Sequence, residues 1–297
     1  MPAKESGMRV GLATGASWPW PEITPFWEWV ESLGFDSLWM TDHILSERYD
    51  TSSGTTVPAD PNSPPPATPM LEAWTLLGAT ASRTKRIRVG TLVSPVTFRN
   101  PALLIKQAIT VDQMTGGRFM LGIGAGYTER EHKAWGIPYP RPKQRVEMVT
   151  ETIEMLRALE ANEHTTYQGK HYQLDNAPFA PKPVNGRIPL MIGAAKPAML
   201  RLTARYADAF NVAGSPNFVR ERFEELDGFC NEIGRDPSEI SRTVGVFYAP
   251  IDPLSSLDRA LHVINRYHEA GAREIVFGAR LEHKEVIEQL TEHLEEV

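Results

Sequence analysis

The residue pair best suited to chemistry in this 297-residue chain is Asp42-His43, which directly follows the apolar run Ser37–Met40. We interpret that run as a strand of a parallel sheet. Ligands bind beyond the carboxyl ends of such strands, and histidine is well suited to proton transfer near neutral pH. The residues alone leave two interpretations open: His43 transfers a proton, or it caps a turn with Asp42 as its hydrogen-bond partner.

A glycine-rich strand end is the second candidate site. Residues Gly122 to Tyr127 read GIGAGY, with glycines at alternate positions, and glycine permits close approach of the backbone to another group. The run is not the dinucleotide-binding fingerprint, because a third glycine at the required spacing and a later acidic residue are both missing. The pattern predicts a close approach at this strand end without naming the ligand.

A third candidate is the segment Gly193 to Pro197, which follows another apolar run and opens a helix. The N–H groups and dipole at a helix start favour an anion, and Lys196 adds a positive charge. Pro197 suits the first helical turn, so a plain helix cap is the alternative.

Aromatic residues crowd the first quarter of the chain. Trp18 and Trp20 follow the first predicted strand in a proline-flanked loop, which places them at a ligand-binding mouth and predicts a bulky or apolar substrate. No histidine–carboxylate cluster has metal-ligand spacing, so we predict no metal site. The run Glu129 to His132 is interpreted as the solvated start of a loop.

Strand and helix signals alternate along the chain, which favours a single α/β domain over residues 1–297, a (β/α)8 TIM barrel, with a doubly wound open sheet as the alternative. We expect strands at 8–13, 37–40, 87–92, 119–123, 189–192, 209–212, 242–248 and 274–277. We expect helices at 22–33, 70–82, 101–114, 142–160 and 282–296, with a loop at 128–140.

Two insertion segments are predicted at the C-terminal mouth of this barrel. Residues 44–69 form a proline-rich insertion loop, which is unusually long for such a connection. We favour a lid over a contact with a partner subunit or a tolerated surface excursion. Residues 163–178 are expected to form a small hairpin around Gly169.

Composition excludes several partners. The formal net charge is −6 and no basic stripe is present, so nucleic acid binding is not expected. The absence of a long apolar run or an apolar leader predicts no membrane association and a cytoplasmic location. The single cysteine, Cys230, forms neither an internal disulfide nor a thiolate metal site.

Several motifs together carry a family resemblance. They are Gly90-Thr91, Val93, Pro95, Phe98-Arg99 and Pro101, then Gly116-Gly117-Arg118 and Gly122 to Gly126. With this series the chain resembles the luciferase-like superfamily of (β/α)8-barrel oxidoreductases, and specifically the branch that uses the deazaflavin coenzyme F420. The resemblance implies hydride transfer between F420 and a small-molecule organic substrate, in a homodimer.

The resemblance also implies roles for individual residues. Asp42 would lie near the coenzyme and His43 would act as acid or base. Leu92-Val93 would form a non-proline cis bond behind the ring. The hydroxyl groups of Ser94 and Thr97 could hydrogen-bond a ring carbonyl or the ribityl chain, or these two residues could equally be turn residues. The ribityl-phosphate arm would contact the two glycine segments, namely Gly124, Ala125, Gly126 and Tyr127, and Gly193, Ala194 and Lys196.

One position departs from the pattern of this branch. Its sugar-phosphate dehydrogenases carry a glutamate directly after the glycine run, where this chain has Tyr127. The role of that glutamate therefore does not transfer, and a sugar phosphate is not the expected substrate. Glu129 comes slightly later and is assigned to the substrate pocket with Trp18 and Trp20.

Three alternative functions stay open at this point. An FMN-dependent monooxygenase of the same fold would combine reduced flavin with oxygen. A metal-dependent barrel hydrolase or lyase, or a non-catalytic flavin-binding barrel, would belong to a different class.

Overall fold

Short apolar runs that are buried on both faces form most of the sheet, as expected for parallel strands covered by helices. The computed structural model describes residues 7–14, 18–45, 49–50, 55–56, 70–247 and 252–294. Its strands are β1 (Arg9–Thr14), β2 (Ser37–Met40), β3 (Tyr49–Asp50), β4 (Thr55–Thr56), β5 (Arg88–Thr91), β6 (Ser94–Pro95), β7 (Phe119–Gly124), β8 (His164–Gln168), β9 (Gln173–Pro178), β10 (Leu190–Gly193), β11 (Ala209–Val212), β12 (Ser241–Val246) and β13 (Glu274–Ala279).

The helices alternate with these strands. They are α1 (Trp20–Ser32), α2 (Ala73–Arg83), α3 (Pro101–Thr115), α4 (Glu129–Ala134), α5 (Pro142–Ala161), α6 (Pro197–Tyr206), α7 (Pro216–Glu232), α8 (Leu257–Glu269) and α9 (Lys284–Thr291). None of the helices within the described ranges is both long and apolar enough to cross a membrane.

Parallel pairing closes the sheet into a barrel. The order of the strands around it is β1, β2, β5, β7, β10, β11, β12 and β13, and β13 pairs again with β1. The predicted (β/α)8 barrel is therefore confirmed, and the open-sheet alternative is wrong because β10 pairs with both β7 and β11.

Local capping sets the helix boundaries. The side chain of Asn100 accepts a hydrogen bond from the N–H of Ala102, and Gly116 ends α3 in the left-handed region at φ 64°, where glycine carries no Cβ penalty. Helix α2 begins three residues later than predicted, because the Glu72 carboxylate caps it by accepting from the N–H groups of Trp74 and Thr75.

A buried charge network seals the amino-terminal end of the barrel. The Glu274 carboxylate accepts hydrogen bonds from Arg88 (2.5 Å) and Ser37 (2.6 Å), and Arg9 lies 3.4 Å away. Burial alone would raise the pKa of Glu274, but the charges of Arg88 and Arg9 outweigh it and lower that pKa below its ordinary value. These contacts tie β13 to β1, β2 and β5.

Two predicted segments are described in part. The small hairpin is present as the antiparallel pair β8–β9, and Glu151 of α5 accepts backbone N–H bonds at its turn. Strands β3 and β4 form a short antiparallel pair within the 44–69 insertion loop. Most of that loop lies outside the described residues, so its role as a lid stays a prediction, as does the single domain over 1–297.

Candidate active site at the barrel mouth

The side chain of Val93 forms a half-buried shelf at the carboxyl ends of β5, β7 and β10. The Leu92-Val93 bond is cis, as the resemblance implied. Leu92 points into the barrel interior with Met120 and Met191. Val93 packs partly against this interior cluster and leaves the rest of its uncharged side chain exposed at the strand ends.

Gly124 and Gly193 leave room for the Val93 side chain, and their contact with a coenzyme stays a prediction. A Cβ on Gly124 or on Gly193 would lie 2.9 Å from Cγ2 of Val93, whereas a Cβ on Gly122 would first collide with the backbone carbonyl oxygen of Thr91. The close approach is therefore made by a side chain of the same chain. Ala125, Gly126 and Ala194 continue the surface and are half-buried.

His43 lies between a buried carboxylate and an exposed phenol. Its Nδ1 is 3.1 Å from Oε2 of Glu131, and its Nε2 is 3.2 Å from the hydroxyl of Tyr127. The rings of His43 and Tyr127 meet edge to face, with centroids 5.8 Å apart. Tyr127 is 60% exposed, so this chain of contacts leads from the protein interior to solvent.

The segment Glu129 to His132, predicted as a solvated loop, is helical instead, and its second half is buried while Glu129 is exposed. It forms helix α4, in which Glu131 and His132 are each only 1% exposed. Nδ1 of His132 is 2.8 Å from the carbonyl oxygen of Thr128, and its Nε2 is 2.7 Å from the hydroxyl of Thr97. This pairing fixes the first turn of α4, and with it the position of Glu131.

Asp42 has partners other than His43, contrary to the turn-capping interpretation. Its carboxylate accepts two hydrogen bonds from Arg99, at 2.6 and 3.1 Å, and a longer one at 3.3 Å from Nε1 of Trp74. Arg99 also binds Glu72. Burial by itself would lower the pKa of Arg99, but the Asp42 and Glu72 carboxylates raise it above the ordinary value.

The other predicted site residues are spread around the mouth with different degrees of exposure. Ser94 is buried and accepts a hydrogen bond from Nε1 of Trp74 at 3.0 Å. Trp18 is also buried, packing against Phe26 with ring centroids 4.7 Å apart. Trp20, Glu129 and Lys196 are exposed. The functional roles of these residues stay predictions.

Lys196 is the N-cap residue of α6, with Pro197 in the first turn. Gly193 and Ala194 lead into that turn, and the N–H of Ala194 donates to the carbonyl of Asn211 at 3.1 Å. In the described parts of the chain, no group of three or more histidine, cysteine or acidic side chains is arranged to hold a metal ion.

The family is decided by a match over nearly the whole chain. The profile of the luciferase-like monooxygenase family matches residues 6–295. The chain belongs to the luciferase-like monooxygenase family. The resemblance inferred from the sequence motifs is thereby confirmed.

Members of this family with assigned activities are moderately similar to the chain. An F420-dependent glucose-6-phosphate dehydrogenase of Microbacterium testaceum (strain StLB037) is 28% identical over 229 residues, which cover 76% of this chain and 63% of that protein. A phthiodiolone/phenolphthiodiolone dimycocerosates ketoreductase of Mycobacterium sp. (strain JLS) is 31% identical over 278 residues, covering 86% and 69%. The chain thus spans just under two thirds of the first relative.

Solved structures share the barrel. An F420-dependent secondary alcohol dehydrogenase in complex with an F420–acetone adduct has a TM-score of 0.82 at 19% identity and covers 97% of this chain and 98% of that one. The FMN-bound oxygenating constituent of 3,6-diketocamphane monooxygenase from Pseudomonas putida has a TM-score of 0.71 at 16% identity, covering 98% and 99%. At these identities the likeness shows the fold alone.

Proposed function

We propose that this chain is an oxidoreductase that transfers a hydride between coenzyme F420 and a small organic substrate. The observation that carries the proposal is an uncharged shelf at Val93 in the same mouth as His43, whose imidazole contacts the Glu131 carboxylate. The choice of F420 is supported by relatives named as F420-dependent enzymes, 28% and 30% identical to this chain.

The residues present fit one face of a flat tricyclic ring. Val93 and the glycine segments present nonpolar C–H groups to the mouth. The Asp42 carboxylate does not add an unpaired charge there, because it is buried and paired with Arg99. Gly193, Ala194 and Lys196 would face the ribityl-phosphate arm, since a helix start with a lysine favours an anion. When bound, F420 would supply a two-electron hydride donor or acceptor.

The proton that accompanies the hydride is assigned to His43. Reducing a carbonyl to an alcohol requires one proton at the substrate oxygen, and the reverse reaction releases one. Nε2 of His43 faces the exposed Tyr127 hydroxyl rather than the interior, so it lies on the side from which a substrate would arrive. We therefore propose a ketone or secondary alcohol as the substrate class, in line with the ketoreductase relative.

Binding of F420 and FMN should be titrated side by side by fluorescence. We expect clearly tighter binding of F420. Val93→Asp places a charge on the shelf and should weaken F420 binding at least 10-fold, whereas Val184→Asp, at a 46% exposed position away from the mouth, should leave it unchanged. Circular dichroism would check that both variants fold.

An FMN-dependent monooxygenase is the second candidate, because the matching family profile carries the monooxygenase description. Equal or tighter FMN binding, with oxygen consumption on adding reduced flavin, would replace the F420 proposal. Tight F420 binding with no turnover of any secondary alcohol or ketone would instead support a non-catalytic coenzyme-binding barrel. The homodimer and the cytoplasmic location remain predictions.

A further inference from the structure

Glu131 is a buried acid for which the proposed reaction has no role so far. Its residue is 1% exposed, and its ion-pair partner within the described residues is His43, at 3.1 Å. The two residues are 88 positions apart in the chain. Burying a carboxylate is costly unless it is paired and hydrogen-bonded, so this contact is a specific feature of the fold.

The two oxygens of Glu131 have different partners. Oε1 accepts hydrogen bonds from the backbone N–H groups of Ile44 and Leu45, which directly follow His43. Oε2 faces Nδ1 of His43. The carboxylate thus holds both the imidazole and the backbone that carries it.

An ionised carboxylate accepts hydrogen bonds but donates none. The neutral imidazole that pairs with it must therefore carry its proton on Nδ1, which leaves Nε2 as the acceptor. The Tyr127 hydroxyl, 3.2 Å from Nε2, is able to donate to it. The Tyr127 contact is compatible with this tautomer, and the Glu131 carboxylate is the group that selects it.

We infer that Glu131 is the positioning residue of His43: it fixes the Nδ1–H tautomer and directs the basic Nε2 toward the mouth. The catalytic meaning of this inference rests on the proposed function, in which Nε2 accepts the proton of an alcohol or returns it to a carbonyl oxygen. A positive charge formed on the ring during that transfer is stabilised by the Glu131 carboxylate.

Substitutions of Glu131 distinguish a role in orienting the His43 ring from a role in packing alone. In Glu131→Gln, the amide oxygen can still accept from Ile44 and Leu45, so the amide NH2 is left facing Nδ1 and can only donate to it. His43 should then change to the Nε2–H tautomer. Glu131→Asp keeps an acceptor and should retain the original tautomer even if the shorter side chain lowers stability. Glu221→Gln, with a 64% exposed side chain in α7, is the charge-matched control.

The tautomer should be read in protein labelled with 15N-histidine, without coenzyme, by long-range 1H–15N correlation. The His43 signals are assigned by their loss in His43→Asn. We expect Nδ1–H in the wild type, in Glu131→Asp and in Glu221→Gln, and Nε2–H in Glu131→Gln. Wild-type His43 as the Nε2–H tautomer, or no change in Glu131→Gln, would overturn the inference.

Kinetics provide the second measurement. Glu131→Gln should lower kcat about 10²-fold, as expected when an acid–base residue is misoriented, with little change in the Kd for F420. Equal losses of kcat in Glu131→Gln and Glu131→Asp would contradict a role in tautomer selection. Because the spectroscopic result needs no coenzyme, a failure of F420 binding would refute the proposed function while leaving the assignment of Glu131 intact.

Discussion

Gly193→Ala tests whether the glycines at the mouth exist to accommodate Val93. The added Cβ would lie 2.9 Å from Cγ2, 3.3 Å from Cγ1 and 3.7 Å from Cβ of Val93. Carbon atoms that are not bonded pack best at about 3.5–4.0 Å, so the first two contacts are too close. Val93 is β-branched, so rotation about χ1 gives little relief.

The cost follows from how far Val93 can move. Adding a methyl group to a well-packed site costs about 1–3 kcal/mol, and half-buried Val93 can shift toward the mouth. We therefore expect the free energy of unfolding to fall by about 1–2 kcal/mol, in the lower part of that range. If Val93 moves toward the mouth, it enters the space proposed for the coenzyme ring. The Kd for F420 should therefore increase about 10-fold, equivalent to about 1.4 kcal/mol.

Denaturant unfolding of the coenzyme-free protein measures the first effect, and a double-mutant cycle identifies its cause. In a Val93→Ala background both γ-carbons are gone, so adding Gly193→Ala should be neutral or slightly stabilising. The coupling between the two sites should be about 1–2 kcal/mol. Gly228→Ala in α7, where a Cβ would meet nothing within 4 Å, should stabilise the protein by up to about 1 kcal/mol.

Two results would refute this reasoning. The first is a Gly193→Ala protein as stable as the wild type. The second is an equal loss of stability in the presence and absence of the Val93 side chain, which would show that Gly193 is required for a backbone reason.

Four further substitutions test the site and the barrel. His43→Ala should lower kcat about 10²-fold with F420 affinity almost unchanged; a wild-type kcat in steady-state assays would make His43 a structural loop residue. Tyr127→Phe keeps the ring but loses one hydrogen bond to Nε2, worth about 1 kcal/mol, so kcat should fall about 5-fold; an unchanged kcat would exclude a role for the hydroxyl. Arg99→Met leaves the Asp42 carboxylate buried without its cation and should destabilise the protein by about 3–5 kcal/mol in urea unfolding, whereas a loss below about 1 kcal/mol would show that this carboxylate is accessible to water. Glu274→Gln should lower the free energy of unfolding by about 3 kcal/mol at pH 7. Because the folded pKa of Glu274 is lowered, its contribution to stability is present above the ordinary value of 4.5 and is lost as the pH falls below it. A difference in stability between variant and wild type that stays constant down to pH 3 would contradict the assignment.

The barrel was predictable because its strands are apolar on both faces and are punctuated by strong helix signals. The run Phe119–Gly124, for example, is buried at every position, and its sequence is apolar or glycine throughout. The boundaries of α3 were predicted within one residue because Asn100 and Gly116 are strong capping residues. Local chemistry was sufficient in both cases.

The candidate site was predictable only where position along a strand determined it. His43 and Val93 follow strand ends, and both lie at the mouth. Glu131 was missed because its segment is strongly polar and has no apolar periodicity that would indicate a buried helix face. Its burial results from the loop at His43, Ile44 and Leu45, a contact too distant in sequence to leave a local pattern.

The sequence also did not predict which side chains pair with one another at the site. The sequence placed Asp42 next to His43, but the carboxylate binds Arg99 and the imidazole binds Glu131. Neighbours in a loop often point in different directions, so adjacency is weak evidence for a contact. The glycine runs do lie at strand ends, but the sequence did not indicate that Val93 would pack against Gly124 and Gly193.

The charge network at the closed end of the barrel has a consequence for protein engineering. Arg9, Ser37, Arg88 and Glu274 link four strands at the base. Tyr127 and Val93 lie at the opposite end. Libraries that randomise the mouth would therefore leave these ionic links untouched. New substrate ranges could be selected there without eroding the resistance of the scaffold to heat, provided that Glu131 and the glycines beneath Val93 are kept fixed.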